Sequence, residues 1–584
     1  MGNGKAVGQD FIQYLNDETS KMLANFSSKE TRQAIDDFSQ QWFKLTQDAL
    51  KDPASWLSLV EQYQQQHMKL WTALVGGQPA QAAESARQLT SSMEQYQNNP
   101  VFEYIKQSYL MTSKLLNETA ANAGLDDADQ EKLVFYTKQF IDAMSPDNFA
   151  MTNPDVIKEA VETNGQSLVN GLNNLLSDMD KGRISMTDES AFVLGENLAV
   201  TEGAVVYENE LFQLIHYKPL TQKVYQQPVL IVPPCINKYY ILDLQEHNSF
   251  VRYCLEQEQN TFLISWVNPT KAQGALSWDD YVELGVINAV NRVKEITGQK
   301  SLHALSWCVG GTLLACAQAV LSDRKDTSVA SATFLTTLVD FEEPGDISVF
   351  IDPQQIESLL AQAKQQGVLS GRNLAVAFNM LRANDLIWSY VVRNYLKGKQ
   401  PAPFDILYWN GDSTNLPYEM YRFYITQMYL ENNLSKPDAL NICGSDINLG
   451  NIKIPCYFLS TIGDHIAPWQ STYKGMELFG GDNEFVLGAS GHVAGVINPV
   501  SKNRRHYWTD GNAEQGAEHW LATAQKKEGS WWAHWSDWLK KSAGKKIAAP
   551  ALGSRQYPVI EAAPGRYVKV KLEDIDNPPL NEAV

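Results

Sequence analysis

The sequence predicts an α/β protein, a mostly parallel sheet with helices on both faces, preceded by a mostly helical region. Three observations carry that reading. From about residue 200, short apolar β-rich runs alternate with helical patterns, the rhythm of a sheet covered on both sides. The stretch SLHALSWCVGGTLLACAQAVLS at 301–322 holds no Asp, Glu, Lys or Arg, and the Gly310-Gly311 pair divides it into a strand-like start and a helix-like remainder. Before residue 195, apolar positions recur instead at helical spacing. At 584 residues the chain exceeds what one core usually covers. We expect a helical domain at 1–195 and an α/β domain at 196–584.

In chain order, the first ninety residues are rich in Gln, Ser and Lys, with sparse apolar positions. They read either as a plain helical bundle or as a loosely packed, partner-dependent segment. The segment 94–121 sets Val101, Tyr104, Ile105, Tyr109, Leu115 and Leu116 on one helical face, and 126–144 does so with Leu133, Phe140 and Met144 until Ser145-Pro146 stops it. Thr152-Asn153-Pro154 opens a further helix to about 179. Strands are expected within 205–217 and at 229–233, 261–266, 301–305 and 328–338, with a helix at 281–297. Residues 341–449 break the rhythm with helical and aromatic material. An insertion after the strand that follows 301–322 would lie over the strand carboxyl ends as a cap. The alternation resumes at 455–460 and 483–487, and a Pro/Gly-rich tail at 543–584 follows the surface.

The composition, 44% hydrophobic and 10% aromatic, is that of a globular chain. A net charge of −19 and a pI near 5.0 argue against nucleic acid as a partner, since phosphate binding needs a basic surface. The clearest local basic cluster is Lys502, Arg504 and Arg505, which reads either as a phosphate-binding patch or as a solvated face. The six cysteines show no CxxC spacing and no Cys/His cluster suited to zinc, so neither metal nor cofactor is expected. The opening MGNGKAVGQDFIQYLNDE lacks a charged-then-apolar secretory signal, and Ala6 stands where myristoylation prefers Ser or Thr. A cytoplasmic protein with reduced thiols is expected. The 301–322 stretch has the length of a membrane span, but its glycine pair and the scattered His303, Ser306 and Gln318 suit a buried strand and helix better, so no transmembrane segment is expected.

Candidate chemistry centres on Cys308. A strand running into a helix through a strained turn pushes one reactive side chain out at the top of the sheet, and small residues flank it because strand and helix nearly touch there. Ser306 and Gly310 occupy those flanking positions. The strand at 456–460 runs into Thr-Ile-Gly-Asp-His, placing Asp464 at its carboxyl end, and 484–487 runs into Gly-Ala-Ser-Gly-His, placing His492 at the next. Nucleophile, acid and histidine therefore follow in the order of the α/β-hydrolase architecture. The thiolate attacks, the histidine takes the proton, and the carboxylate fixes the imidazole tautomer. Taken singly, Cys308 reads as a core thiol, Asp464 as a helix cap and His492 as a packed histidine; three such coincidences at matching strand ends favour a site. The backbone N–H groups of Val309 and of Ile236, in the loop after an early strand, are the candidate oxyanion donors. Cys316 reads as core, His465 as an orienting or pocket residue, and Tyr408 and Trp409 as channel wall or cap core.

The succession VLIVPPCINKYYILDL, FLISWVNP, SWCVGGT, FLTTLVDF, FDILYWNGDSTNLP, GDHIAPW, LGASGHVAGVINP, GSWW and APGRYVKVK resembles the class I polyhydroxyalkanoate synthases along nearly all of the chain from about residue 100. The family elbow is G-x-C-x-G-G, so Ser306 departs at its first position. The resemblance implies an α/β-hydrolase fold with a cap, Cys308 as the acyl-carrying nucleophile, His492 as its base and Asp464 as the third member. It implies 3-hydroxyacyl-coenzyme A as substrate, short in side chain, and a growing polyester as product. A homodimer at the surface of cytoplasmic polyester granules, beside phasin-like proteins, is implied as well. The alternatives are a cysteine-dependent thioesterase or depolymerase of the same fold, and a non-catalytic granule-surface protein.

Overall fold

The computed structural model describes residues 61–70, 72, 96 and 99–576. The expectations for the first ninety residues lie almost wholly outside this range, as does the end of the tail. The described residues fall into two compact units, one of those up to 188 with 376–402 and the other of 189–375 with those from 403 onward.

The first unit is helical. Helix α1 (Pro100–Ala121) starts where Asn99 caps it and Pro100 supplies the preset φ of a first turn. Helix α2 (Asp127–Ala143) is capped by Asp126. The single helix expected over 154–179 is two, α3 (Pro154–Glu162) and α4 (Gln166–Lys181). Asn164 (φ 51°) and Gly165 (φ 84°) take left-handed backbone between them and end the first. Residues 376–402 come from inside the 341–449 insertion yet pack in this unit. Trp388, Val391 and Tyr395 form a cluster with Ala143 and Leu175, and the Tyr395 hydroxyl donates to Asp178 at 2.7 Å. Gly171 is needed there, because a Cβ would fall 1.8 Å from the Tyr395 carbonyl oxygen.

The second unit is built on an eleven-stranded sheet. Its strands are β1 (Gly203–Glu208), β2 (Phe212–Tyr217), β3 (Val229–Val232), β4 (Thr261–Trp266), β5 (Leu302–Trp307), β6 (Val329–Leu335), β7 (Cys456–Thr461), β8 (Asn483–Gly488), β9 (His506–Thr509), β10 (Gln525–Glu528) and β11 (Glu561–Ala562). They lie in the order β10-β9-β8-β7-β6-β5-β3-β4-β2-β1-β11. The run from β8 to β4 is parallel throughout, while β2, β1 and β11 on one side and β9 and β10 on the other pair antiparallel. This is the α/β-hydrolase arrangement expected. The run 205–217 resolves into a hairpin, because the Asn209 side chain accepts from the N–H groups of Leu211 and Phe212 and closes a turn. The central strands are buried on both faces, which accounts for their unbroken apolar runs.

The cap insertion meets the carboxyl ends of the strands within this unit. Thr414 donates to the Cys235 carbonyl at 2.8 Å and accepts from Asn237 N–H at 2.9 Å, both in the loop after β3. Asn415 bonds Asn268 and Pro269 after β4. Helix α5 (Val309–Asp323) follows β5 and is buried from Val309 to Leu321. No helix among the described residues is long and apolar enough to cross a membrane.

Candidate active site

Cys308 sits between β5 and α5 with φ 52° and ψ −127°, a conformation that L-residues adopt only when their surroundings impose it. Both of its backbone groups are held: its N–H donates to the Leu335 carbonyl at 2.9 Å, and its carbonyl accepts from Gly311 N–H at 2.8 Å. The close approach demanded by the turn is visible at Gly310, where a Cβ would lie 2.5 Å from the carbonyl oxygens of Val232 and Pro233. Ser306 is fully buried, and its hydroxyl donates to the Thr333 carbonyl on β6 at 2.9 Å. The hydroxymethyl group thus spans to the neighbouring strand instead of clashing with the crossing helix.

Asp464 and His492 meet beyond the ends of β7 and β8. His492 Nδ1 lies 2.7 Å from Asp464 Oδ2, and Asp464 Oδ1 accepts from the N–H groups of Ile466 and Ala467, each at 2.9 Å. Both carboxylate oxygens are therefore committed. Burial, the largest single influence on the imidazole, disfavours its charged form. The Asp464 carboxylate and then the Cys308 sulfur more than offset it and carry the His492 pKa up to about 10. The influence of the Cys308 sulfur on the ring sets it near the imidazole that Asp464 holds.

The other expected residues fall out as follows. Val309 begins α5, and neither its N–H nor that of Ile236 donates a hydrogen bond among the described residues. Cys235 and Cys316 are buried thiols pushed up to about 12 by burial. The His465 carbonyl accepts from Asp346 N–H at 3.0 Å, bracing the turn where the cap insertion leaves the sheet. Tyr408 and Trp409 are both buried. Trp409 stacks on Trp307 at 6.5 Å beside the elbow and donates to the Lys238 carbonyl at 2.6 Å, so the pair is core packed against the site. Lys502, Arg504 and Arg505 line a cleft of about 580 Å³ in the same unit. Among the described residues, no group of three or more His, Cys, Asp or Glu side chains is placed to hold a metal ion.

Two sets of supporting residues escaped the sequence reading. The indoles of Trp531 and Trp532, at the start of helix α6 (Trp531–Lys540), donate to the Val496 carbonyl at 3.2 and 2.9 Å and so fix the loop that carries His492. Lys238 and Asp412, both buried, form an ion pair of 2.7 Å, and the Tyr240 hydroxyl donates to Asp412 at 3.0 Å. The Ser530 cap ahead of a tryptophan pair was the available signal for the first. The second had none, because its partners lie far apart in sequence.

A strained elbow that carries a cysteine, with a histidine–carboxylate pair at later strand ends and this strand order, defines the α/β-hydrolase fold; residues 228–499 match the family model for that fold. Residues 90–254 match the model described as the poly-beta-hydroxybutyrate polymerase (PhaC) N-terminus. The chain is 44% identical over 527 residues to the poly(3-hydroxyalkanoate) polymerase subunit PhaC of Cupriavidus necator, covering 89% of each. It is 39% identical over 547 residues to that of Rhizobium meliloti, covering 92% of this chain and 89% of the relative. It is 41% identical over 479 residues to poly(3-hydroxyalkanoate) polymerase 1 of Ectopseudomonas oleovorans, covering 81% and 85%. The chain belongs to the poly(3-hydroxyalkanoate) polymerase family and is an enzyme of the acyltransferase type.

Proposed function

We propose that this protein polymerises (R)-3-hydroxyacyl-coenzyme A, short in side chain such as the 3-hydroxybutyryl thioester, into polyhydroxyalkanoate, through acyl thioesters on Cys308. The observation that carries the reading is the Cys308 elbow beside the His492–Asp464 pair. In the first half-reaction Cys308 Sγ attacks the thioester carbonyl carbon, its proton passing to His492. The carbon–sulfur bond to coenzyme A breaks, and coenzyme A leaves as the thiol with the proton from His492. The N–H groups of Val309 and Ile236 would receive the carbonyl oxygen as its charge develops. In the second, the 3-hydroxyl of another acyl unit gives its proton to His492 and attacks the Cys308 thioester, forming an ester and restoring the thiol.

Cysteine suits this sequence better than serine, because the acyl group stays an energised thioester and its transfer to an alcohol runs downhill. Asp464 has no uncommitted oxygen, which favours His492 as the base for both hydrogens. No cofactor enters the scheme. The family resemblance further supports work as a homodimer on cytoplasmic polyester granules, with phasin-like proteins as neighbours.

The test supplies 3-hydroxybutyryl-coenzyme A and follows thioester loss together with the form of the product. Polymer is expected, and free acid in equal amount to the coenzyme A released would make the protein a thioesterase. No release under reducing conditions would leave only a granule-surface role. Cys308→Ala should abolish acyl-enzyme formation and Cys316→Ala should not.

A further inference from the structure

The cleft lined by Lys502, Arg504 and Arg505 sits in a chain with 67 acidic and 48 basic residues, where cations readily find acidic partners. Elsewhere they do: Lys218, Arg252, Arg324 and Arg566 are all ion-paired. These three have no ion pair and no side-chain hydrogen bond among the described residues, although all three are exposed and close in sequence. Three like charges kept together without neutralisation repel one another, and a bound anion would relieve that repulsion.

The segment that carries them is held in a fixed shape. Asn503 (φ 41°) and Arg505 (φ 71°) are both left-handed without being glycine. Lys502 N–H and Asn503 N–H close turns onto Pro499 and Val500, and the Arg505 carbonyl accepts from Gly529 N–H at 2.9 Å. The one acidic side chain lining the cleft, Asp405, is buried, and its carboxylate is already met by Asn248 Nδ2 at 2.8 Å, Gln245 Nε2 at 3.3 Å and Ile406 N–H at 2.8 Å. Beside the cations, Phe404 also lines the cleft and is 49% exposed as a residue. Cations beside an aromatic side chain, with amide side chains such as Asn498, suit a base joined to phosphates.

Two walls of the cleft belong to segments that also serve the site: Ile497 and Asn498 follow the loop that carries His492, and Phe404 and Ile406 lie a few residues before Trp409, which stacks on Trp307.

Resting on the reading of the substrate as a coenzyme A thioester, we propose that this cleft binds the nucleotide end of the acyl donor, with Lys502, Arg504 and Arg505 on its phosphates and Phe404 against its base. The pantetheine arm then leads from the cleft towards Cys308.

The test uses the full chain and two donors with the same acyl group, 3-hydroxybutyryl-coenzyme A and 3-hydroxybutyryl-pantetheine, which lacks the nucleotide. Wild type should show the lower KM for the coenzyme A thioester, and adenosine 3′,5′-bisphosphate should compete with that donor. In Lys502→Ala/Arg504→Ala/Arg505→Ala the KM for the coenzyme A thioester should rise by about tenfold or more, the preference over pantetheine should vanish, and the bisphosphate should no longer compete. Arg504→Glu should weaken the coenzyme A donor more than Arg504→Gln, and Phe404→Ala should raise KM for that donor alone. Thermal melting at the wild-type temperature checks that each variant is folded. A triple variant with wild-type KM and wild-type inhibition by the bisphosphate overturns the proposal and leaves the polymerase reading standing. A wild type that makes polymer equally well from both donors overturns it too. Polymer from neither donor strikes the functional reading instead.

Discussion

Replacing Asp464 with asparagine changes one oxygen to an amide nitrogen, and the surroundings dictate which one. Oδ1 faces two donors, the N–H groups of Ile466 and Ala467 at 2.9 Å each, so the amide oxygen must stay there. The NH₂ then occupies the Oδ2 position, 2.7 Å from His492 Nδ1, and that nitrogen must accept. The single ring proton of a neutral imidazole moves to Nε2, the nitrogen left to take a proton from Cys308 or from the 3-hydroxyl. The base is thereby blocked with little change in geometry. The equivalent substitution in the serine-protease template lowers kcat by about 10⁴, or about 5.5 kcal/mol of barrier. A loss of that order is expected here, followed through the thioester absorbance of 3-hydroxybutyryl-coenzyme A. The same substitution removes the main influence that raises the His492 pKa from 6.5 to about 10. A raised pKa stabilises the fold fully below the unfolded value, and the contribution is lost as pH climbs through the folded one. The melting temperatures of wild type and Asp464→Asn should therefore differ most at and below pH 6.5 and converge towards pH 10. A variant that keeps more than roughly a tenth of the wild-type rate, or a melting difference that does not narrow with pH, refutes the tautomer argument.

Three further outcomes follow from the supporting residues. Trp532→Phe keeps the ring but removes the donor to the Val496 carbonyl, so stability should fall by about 1 kcal/mol and kcat should drop with KM unmoved. Steady-state kinetics with an unchanged kcat would show that the indole does not position the His492 loop. Asp412→Ala strands the buried Lys238 ammonium, whose charged form burial already disfavours, and should cost about 3–5 kcal/mol in a denaturant titration. Ser306→Gly restores the usual first residue of the elbow yet should cost about 1.5–2 kcal/mol, from the lost bond to Thr333 and the freer unfolded chain. Activity should be retained, and a large fall in kcat would mean that Ser306 shapes the turn itself.

Much of the α/β unit was legible because its signals are local. Thr261–Trp266 is a strand over the whole run that reads as one, and the strands before Asp464 and His492 lie within a residue or two of their expected bounds. The strands His506–Thr509 and Gln525–Glu528 were not legible. The second is a polar, exposed edge strand, and the first is four residues long with only alternate residues buried, so both lack the apolar run that marks a central strand. The break at Asn164-Gly165 had a turn signal in plain view, overridden by the apolar spacing on either side. That residues 376–402 pack with α4 had no local signal, since an amphipathic face announces burial without naming its partner. The site residues were found through their strand ends. The bracing at Trp531, Trp532, Lys238 and Asp412 was not, because it depends on which loops the sheet order brings side by side.

That bracing bears on how one histidine could serve the two half-reactions proposed. The strain at Cys308 is of the order of 1–3 kcal/mol, and it is borne by a turn whose N–H and carbonyl are both bonded and whose helix is buried throughout. Asp464 is fixed by backbone N–H groups of its own loop, and the loop after His492 is fixed by two indoles. Cys308, Asp464 and His492 thus hang on three independent anchors, so in the proposed reaction their relative positions would survive the exchange of a departing coenzyme A for an incoming hydroxyl. In the proposed cycle the second half-reaction would ask of His492 what the first one asks: to take a proton from an attacking group and return it to a departing sulfur. Such a cycle needs no second base, and the commitment of both Asp464 oxygens argues against the carboxylate as one.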